Sequence, residues 1–325
     1  MEQSDQALEW AIHYLTTLSD EVQIHHEPVV QTSYSIVNKI KINAQTVYLK
    51  QTPELLFSEP KMLAFLKEQG VNCIPKLIAK NPDLLCFLMT SCGDKSLRHI
   101  FNKKINFDQL RQGINNFTKI QRSLENDISE LLSIGTPDWR LDQFSSLYYS
   151  LIQQDKLLIS DGMTEKEIDR LHQLHQTCIN LCERISDYKI PETLTHCDFH
   201  DNNMLLDSTT EEINIIDWGE TVIAHPFFSL NCCLWNMTYF YAAKETDLIY
   251  KNLQSAGVRS WLNLYDEAQL LTILNLANKL QGIFAALGYE RIYVATKNQR
   301  KTVQQEHYGS IAGCLRTFMS KFLLE

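Results

Sequence analysis

The sequence predicts an α+β protein, in which a small strand-rich N-terminal piece precedes a larger helical one. Three observations carry this reading. Apolar and β-branched residues cluster in two short runs, around Ser35–Ile42 and Gln45–Lys50. From Lys95 onward, apolar residues recur at helical spacing. One β-rich island, Asn203–Ile216, interrupts the helical part. The join falls near Gly93 without a Gly/Ser linker, dividing the chain into an N-terminal lobe, 1–93, and a C-terminal helical lobe, 94–325. A length of 325 residues suits two domains or one large domain with lobes. Hydrophobic content of 44% with 21% charged residues is ordinary for a chain that buries a sizeable core.

Each element follows from local pattern. Leu8, Ala11, Ile12 and Leu15 share one face of a helix over 4–18, with Ser4 as its N-cap. The two strands after it are joined by a turn at Asn43 and Ala44, and Pro53 ends the second. Ser58 then caps a helix over Ser58–Gln69, which buries Met62, Leu63, Phe65 and Leu66 and stops at Gly70. Leu84–Met89 reads as another strand, running into Thr90-Ser91-Cys92-Gly93. Helices prevail from Lys95 to about Leu181, broken at Gly135-Thr136-Pro137 and Asp161-Gly162. The C-terminal part is again helical, as Leu270, Ile273, Leu274 and Leu276 show. Two lobes sharing a cleft are expected, and clefts are where ligands tend to bind.

Composition narrows the function. Thirty Lys plus Arg against 39 Asp plus Glu give a net charge of −9, which argues against nucleic acid as the main partner. Nine cysteines without a CxxC pair supply neither a zinc ribbon nor a disulfide framework, and free thiols suit a cytoplasmic protein. The start, MEQSDQALEW, lacks the basic residues and apolar run of a signal peptide. Thr221–Ala243 carries no Lys, Arg, Asp or Glu and is long enough to cross a bilayer. It also holds His225, Pro226, Ser229, Asn231 and Asn236, which are costly in lipid, so it reads as a loop leading into a buried core helix. No membrane partner is expected.

The chemistry concentrates in Leu194–Trp218. Two apolar strands, Met204–Leu206 and Ile213–Ile216, flank the polar turn Asp207–Glu212. A hairpin returns the chain to its starting edge, so Asp217 is expected near Asn203, with Asp198 five residues before Asn203. Hard cations such as Mg²⁺ bind through one or two carboxylates plus substrate phosphates. That set suits phosphoryl transfer, with Asn203 and Asp217 on the metal and Asp198 facing the acceptor.

The segment H-C-D-F-H-D-N-N at 196–203 resembles the H-x-D-x-H-x-x-N motif of aminoglycoside phosphotransferase-like and choline kinase-like enzymes. I-I-D-W-G at 215–219 is similar to their counterpart of the protein-kinase DFG segment. The resemblance implies a protein-kinase-like two-lobed fold, with five strands in the small lobe and a helical large lobe. It implies ATP or GTP as phosphoryl donor, Mg²⁺, and a small hydroxyl-bearing acceptor such as an amine-bearing alcohol or an amino sugar. By likeness, Asp198 is the catalytic residue, Asn203 and Asp217 hold metal, and His196 and His200 shape the loop around Asp198. Lys50 resembles the phosphate-binding lysine, Glu59 its ion-pair partner, and the backbone of Thr90 and Cys92 the adenine-contacting hinge.

Two departures stand out. The nucleotide-covering loop of the family often contains Gly or Ser, whereas Gln31–Ser35 has no glycine and offers Ser33 and Tyr34 to the phosphates. Ser229 replaces an aspartate that braces the large lobe in many relatives, so that brace is expected to be lost. The absence of an A-P-E motif after Asp217 disfavours a protein kinase.

Other readings compete. Zinc at His196, Cys197, Asp198 and His200 is disfavoured, because Cys197 and Phe199 are expected to point away from Asp198. Cys178 and Cys182, with His175 nearby, read better as a buried helix face than as metal ligands. Trp235, Tyr239, Phe240 and Tyr241 read as core around a central helix, with an aromatic cage for a quaternary ammonium as the alternative. A nucleotide-binding pseudokinase that regulates a partner, or a nucleotidyl transferase, would use the same residues differently.

Overall fold

A computed structural model of the chain describes residues 3–18, 23–43, 45–296 and 300–322. Of the turn expected at Asn43 and Ala44, Ala44 lies outside these residues, and Asn43 adopts a left-handed φ of 53°. The chain divides into two compact units. The first combines Met1–Lys95 with Leu205–Gly219 and Ile292–Glu306, and the second holds Ser96–Met204, Glu220–Arg291 and His307–Glu325.

In the first unit, α1 (Gln3–Thr16) precedes β1 (Ile24–Gln31), β2 (Ile36–Ile42) and β3 (Gln45–Gln51). Then come α2 (Glu59–Glu68), β4 (Leu77–Asn81) and β5 (Cys86–Thr90). The strands form one five-stranded sheet in the order β1-β2-β3-β5-β4, antiparallel throughout. Its core joins Ala7, Ala11 and Leu15 of α1 to Ile40, Ile42, Val47, Leu49, Cys86 and Leu88 of the sheet.

Three sequence expectations need correction here. Ser4 lies inside α1 and does not cap it, and the buried stripe is Ala7-Ala11-Leu15, with Leu8 only partly covered. Ser58 precedes α2, but its side chain makes no capping hydrogen bond. Local pattern predicts neither β1 nor β4, which carry only the short apolar stretches Val29-Val30 and Leu77-Ile78-Ala79. All of β1 after Ile24 is exposed, so main-chain pairing with β2 holds it, and its register shifts between Pro28 and Val30. Gly70 does end α2, at φ 78°: its N–H donates to Lys67 O (3.0 Å) and that of Val71 to Leu66 O (2.9 Å). This is the left-handed cap that satisfies the last helical carbonyls.

After the short strand β6 (Lys95–Ser96), the chain runs through α3 (Leu97–Phe101), α4 (Phe107–Ser123), α5 (Ile128–Ser133) and α6 (Leu141–Ile152). It continues through α7 (Asp155–Ser160), α8 (Glu165–Gln173) and α9 (His175–Ser186). The breaks at Gly135 and Gly162 fall where the sequence placed them, both glycines at positive φ. Next come β7 (Thr193–His196), β8 (Met204–Leu206), β9 (Ile213–Ile215) and β10 (Thr221–Ala224). Helices α10 (Phe227–Tyr241), α11 (Leu248–Val258), α12 (Glu267–Ala295), α13 (Arg300–His307) and α14 (Ser310–Ser320) complete the described residues. Phe144 of α6, Phe228 of α10 and Phe284 of α12 stack in the core of the second unit, with centroids 5.3 and 4.6 Å apart.

Two expectations for the span Thr221–Ala243 also change. Its first residues form the buried strand β10, paired antiparallel with β7, and not a loop. The aromatic set at the end of α10 is not core, because Trp235, Tyr239 and Phe240 are 51%, 68% and 43% exposed. Among the described residues one helix, α12, is long and apolar enough to cross a membrane, with mean hydropathy 1.4, yet 61% of its apolar window is buried inside the fold. All nine cysteines are free, and Cys178 and Cys182 are buried on α9. Among the described residues, no three His, Cys, Asp or Glu side chains are grouped to hold a metal ion.

Candidate active site

The expected functional residues fall into two sets, one on each unit. In the second unit β7 ends at His196, whose register partner on β10 is Thr221. Here the brace expected to be lost is present in another form. Buried Ser229 accepts from the His196 N–H (2.8 Å) and donates its hydroxyl to His196 O (3.0 Å). A hydroxyl can do both, so serine grips both backbone polar groups of His196.

Beyond His196 the chain folds back on itself. The Asp198 N–H donates to His196 Nδ1 (3.1 Å), and the Asn202 N–H to His200 Nδ1 (3.2 Å). With Nδ1 accepting, His200 carries its proton on Nε2 and presents it to Asp198 Oδ1 at 2.9 Å. Asn203 donates its amide to both Asp198 O and Asp198 Oδ2, each at 2.9 Å. The side chain of Phe199 turns away and stacks on Phe117 at 4.2 Å. Packing around Asp198 would raise its carboxyl, but hydrogen bonds from His200 and Asn203 outweigh this and hold it at about 2. The side chain stays 53% exposed, so an ionised carboxylate faces outward from a fixed loop.

In the first unit Lys50 lies on the central strand β3 and is buried. Its Nζ meets Glu59 Oε2 at 2.6 Å and Asp217 Oδ1 at 2.5 Å. Burial alone would depress the ammonium, but the Asp217 and Glu59 charges win and hold it above its ordinary value. Burial pushes the Glu59 carboxyl up, against the opposing pull of Lys50. Glu59 also accepts the Trp218 N–H through Oε1 at 3.1 Å. Gly219 keeps this approach open, since a Cβ there would lie 3.3 Å from Glu59 Cβ and 3.4 Å from Oε2. Asp217 sits at φ 63°, a left-handed conformation uncommon for a residue with a side chain, and is 36% exposed. The hairpin before it is as the sequence suggested: β8 and β9 are adjacent, and the Asp207 N–H donates to Glu212 O (3.0 Å).

The remaining expected residues also lie in the first unit. The Ser33 N–H donates to Glu306 Oε1 (3.0 Å) and its hydroxyl to Oε2 (2.5 Å). The Thr90 N–H is taken by Lys76 O (2.9 Å), and the Cys92 carbonyl accepts from Asn214 Nδ2 (2.5 Å).

Oxygen donors suited to a hard cation are present in both sets. Asn203 spends its amide nitrogen on Asp198, so its Oδ1 is the atom left to a ligand, and Asp217 spends Oδ1 on Lys50. Sequence reasoning missed Ser229 as a brace, Glu306 as the partner of Ser33, and Asp201 with its partners Arg98 and Tyr241. Asp201 stood inside the quoted motif. Its partners lie 103 and 40 residues away, with no local signal.

Comparison with known proteins identifies the family and the fold. The model of the phosphotransferase enzyme family (APH) matches residues 46–271. No curated protein matches the chain significantly. Among solved structures, an ethanolamine kinase of Plasmodium vivax is similar at TM-score 0.62 and 14% identity, covering 95% of this chain and 88% of its own. An ADP-bound aminoglycoside phosphotransferase, APH(2'')-Ib, is similar at TM-score 0.60 and 16% identity, with 96% and 98% covered. A choline kinase from Cryptosporidium parvum gives TM-score 0.60 at 11% identity, with 96% and 95% covered. The fold is therefore protein-kinase-like, and with its family motif matched over most of its length the chain belongs to the phosphotransferase enzyme family.

Proposed function

We propose that the protein is an ATP-dependent kinase that transfers the γ-phosphoryl group to a hydroxyl of a small, amine-bearing molecule. The observation that carries this is Asp198, an exposed carboxylate kept ionised and aimed by His200 and Asn203. The acceptor oxygen attacks the γ-phosphorus, the bond to the ADP oxygen breaks, and the hydroxyl proton passes to Asp198. A carboxylate at about 2 is a weak base, so it orients the hydroxyl first and takes the proton late, as the new O–P bond forms. Lys50, locked by Glu59, supplies positive charge to the phosphates. Asn203 and Asp217 would hold Mg²⁺, which would supply positive charge to neutralise the nucleotide phosphates. His196 and His200 keep the loop in shape. Ser33 at the covering turn and the hinge backbone at Thr90 and Cys92 complete the proposed nucleotide contacts.

Ethanolamine and choline, in the names of two similar structures, are amino alcohols, and the ADP of a third supports an adenine nucleotide. Of the chain's own carboxylates, several are already engaged. Asp161 accepts the N–H groups of Gly309 and Ala312 at the start of α14, Asp138 pairs with Arg140, and Asp266 caps Gln269.

The test is ADP release from Mg·ATP with ethanolamine, choline, kanamycin and neutral sugars as acceptors. A cationic acceptor should win, with apparent affinity falling as salt screens over roughly 8–10 Å. Asp198→Asn should lose about 10²–10⁴-fold in turnover while binding Mg·ATP within a few-fold. Wild-type turnover in that variant would remove Asp198 from the mechanism. Nucleotide binding without acceptor-dependent ADP would favour the regulatory pseudokinase instead.

A further inference from the structure

Asp201 follows His200 directly and is fully buried, in the turn that carries Asn203. Its Oδ1 accepts two hydrogen bonds from Arg98 of α3, from Nε at 3.0 Å and Nη2 at 2.8 Å. Its Oδ2 accepts from the Tyr241 hydroxyl at the end of α10. The same Arg98 Nη2 donates to Asn236 Oδ1 (3.0 Å), and Asn236 Nδ2 donates back to Cys232 O (3.0 Å). The guanidinium lies 3.8 Å over the Phe240 ring, and Tyr241 meets Phe101 edge-on. Two helices thus grip one carboxylate in a three-residue turn.

A buried ion pair is a poor source of net stability, since apolar side chains of similar size often do as well or better. What it supplies is direction. A forked guanidinium and a phenol fix both carboxylate oxygens, and so the path of the backbone through the turn. Two residues on, Asn203 holds Asp198 O and Oδ2. A turn free to rotate would carry Asn203 off Asp198.

We propose that Asp201 is a positioning residue of the phosphoryl-transfer site, acting through Arg98 and Tyr241 to hold the turn that aims Asp198 and Asn203. It sets turnover and leaves nucleotide binding alone. This rests on the phosphotransferase reading above.

The experiment measures ADP release from Mg·ATP with water as phosphoryl acceptor, and ADP affinity by calorimetry, at a temperature well below each variant's Tm. Tyr241→Phe keeps the ring against Phe101 and removes one hydrogen bond; Asp201→Asn keeps the shape and removes the charge. Loss of kcat of about 3–10-fold in the first and 10–100-fold in the second is expected, with ADP affinity within about threefold of wild type. If Asp201→Asn does not fold, Tyr241→Phe decides. A folded Tyr241→Phe with lowered Tm and wild-type kcat would make Asp201 a structural residue only and overturn the proposal. Parallel loss of ADP affinity would overturn it too. Wild-type ADP release in an Asp198→Asn control would instead remove Asp198 from the mechanism, the part of the reading above on which the proposal rests.

Discussion

The loop from His196 to Asn203, proposed to be catalytic, and the turn from Thr32 to Ser35, proposed to cover the nucleotide, are held in opposite ways. In the first, the backbone is held at His196 by Ser229, at Asn202 by His200 and at Asp201 by Arg98 and Tyr241. In the second, the turn is closed by its own bonds and tied at Ser33 by an exposed carboxylate. The Thr32 N–H donates to Ser35 O (2.9 Å) and the Ser35 N–H to Thr32 Oγ1 (3.0 Å), closing the turn on itself. A distant carboxylate, that of Glu306, takes the amide and hydroxyl of Ser33. A reacting group must be in place before its substrate arrives, because preorganisation lowers the barrier. A covering turn can be ordered by the nucleotide it covers.

That contrast breaks most visibly at Asn203. Asn203→Ala removes the amide that ties Asp198 and the oxygen proposed for Mg²⁺, so turnover should fall by about 10²-fold or more. Steady-state ADP release measures it, and a variant within threefold of wild type would mean that the loop does not need its internal tie. Ser229→Ala comes next. It leaves a buried His196 N–H without its acceptor, which costs about 1–3 kcal/mol of stability. Urea unfolding reads that loss directly; an unchanged midpoint would show that another group takes over the brace. The smallest effect belongs to the turn. Glu306 engages the amide and hydroxyl of Ser33 that a phosphate oxygen would use, in an exposed contact. Removing it in Glu306→Ala should tighten ADP binding by about two- to fivefold, in keeping with about 0.5–1 kcal/mol for exposed charged contacts. Weaker binding would instead make Glu306 a support for the turn.

The loop 196–203 was legible because Asp198 and Asn203 stand just before a hairpin that ends at Asp217, while His196 and His200 were legible only through the match to the family motif. Lys50 and Glu59 were legible through the family resemblance, since a lysine ending a strand and a glutamate opening a helix are by local pattern ordinary solvated charges. Long-range partners left no trace in local pattern, and Arg98, Tyr241 and Glu306 emerge only from the tertiary fold. Apolar content misled in both directions. It hid β1, which is a strand by pairing without burial, and it placed Trp235, Tyr239 and Phe240 inside when the end of α10 leaves them outside. Ser229 misled differently, because a missing carboxylate looked like a missing contact.

The charge triad on the first unit also has an order of assembly. Lys50 and Glu59 are near neighbours in sequence, whereas Asp217 follows Lys50 by 167 residues. At about 5–20 residues per second of synthesis, roughly 10–30 s pass between the emergence of Lys50 and that of Asp217. For that interval the nascent chain carries Lys50 and Glu59, of opposite charge, without Asp217. Asp217 then adds a second carboxylate to a pair already neutral. The site acquires its surplus negative charge, the charge a metal–nucleotide complex would meet, as a late event in the making of the chain.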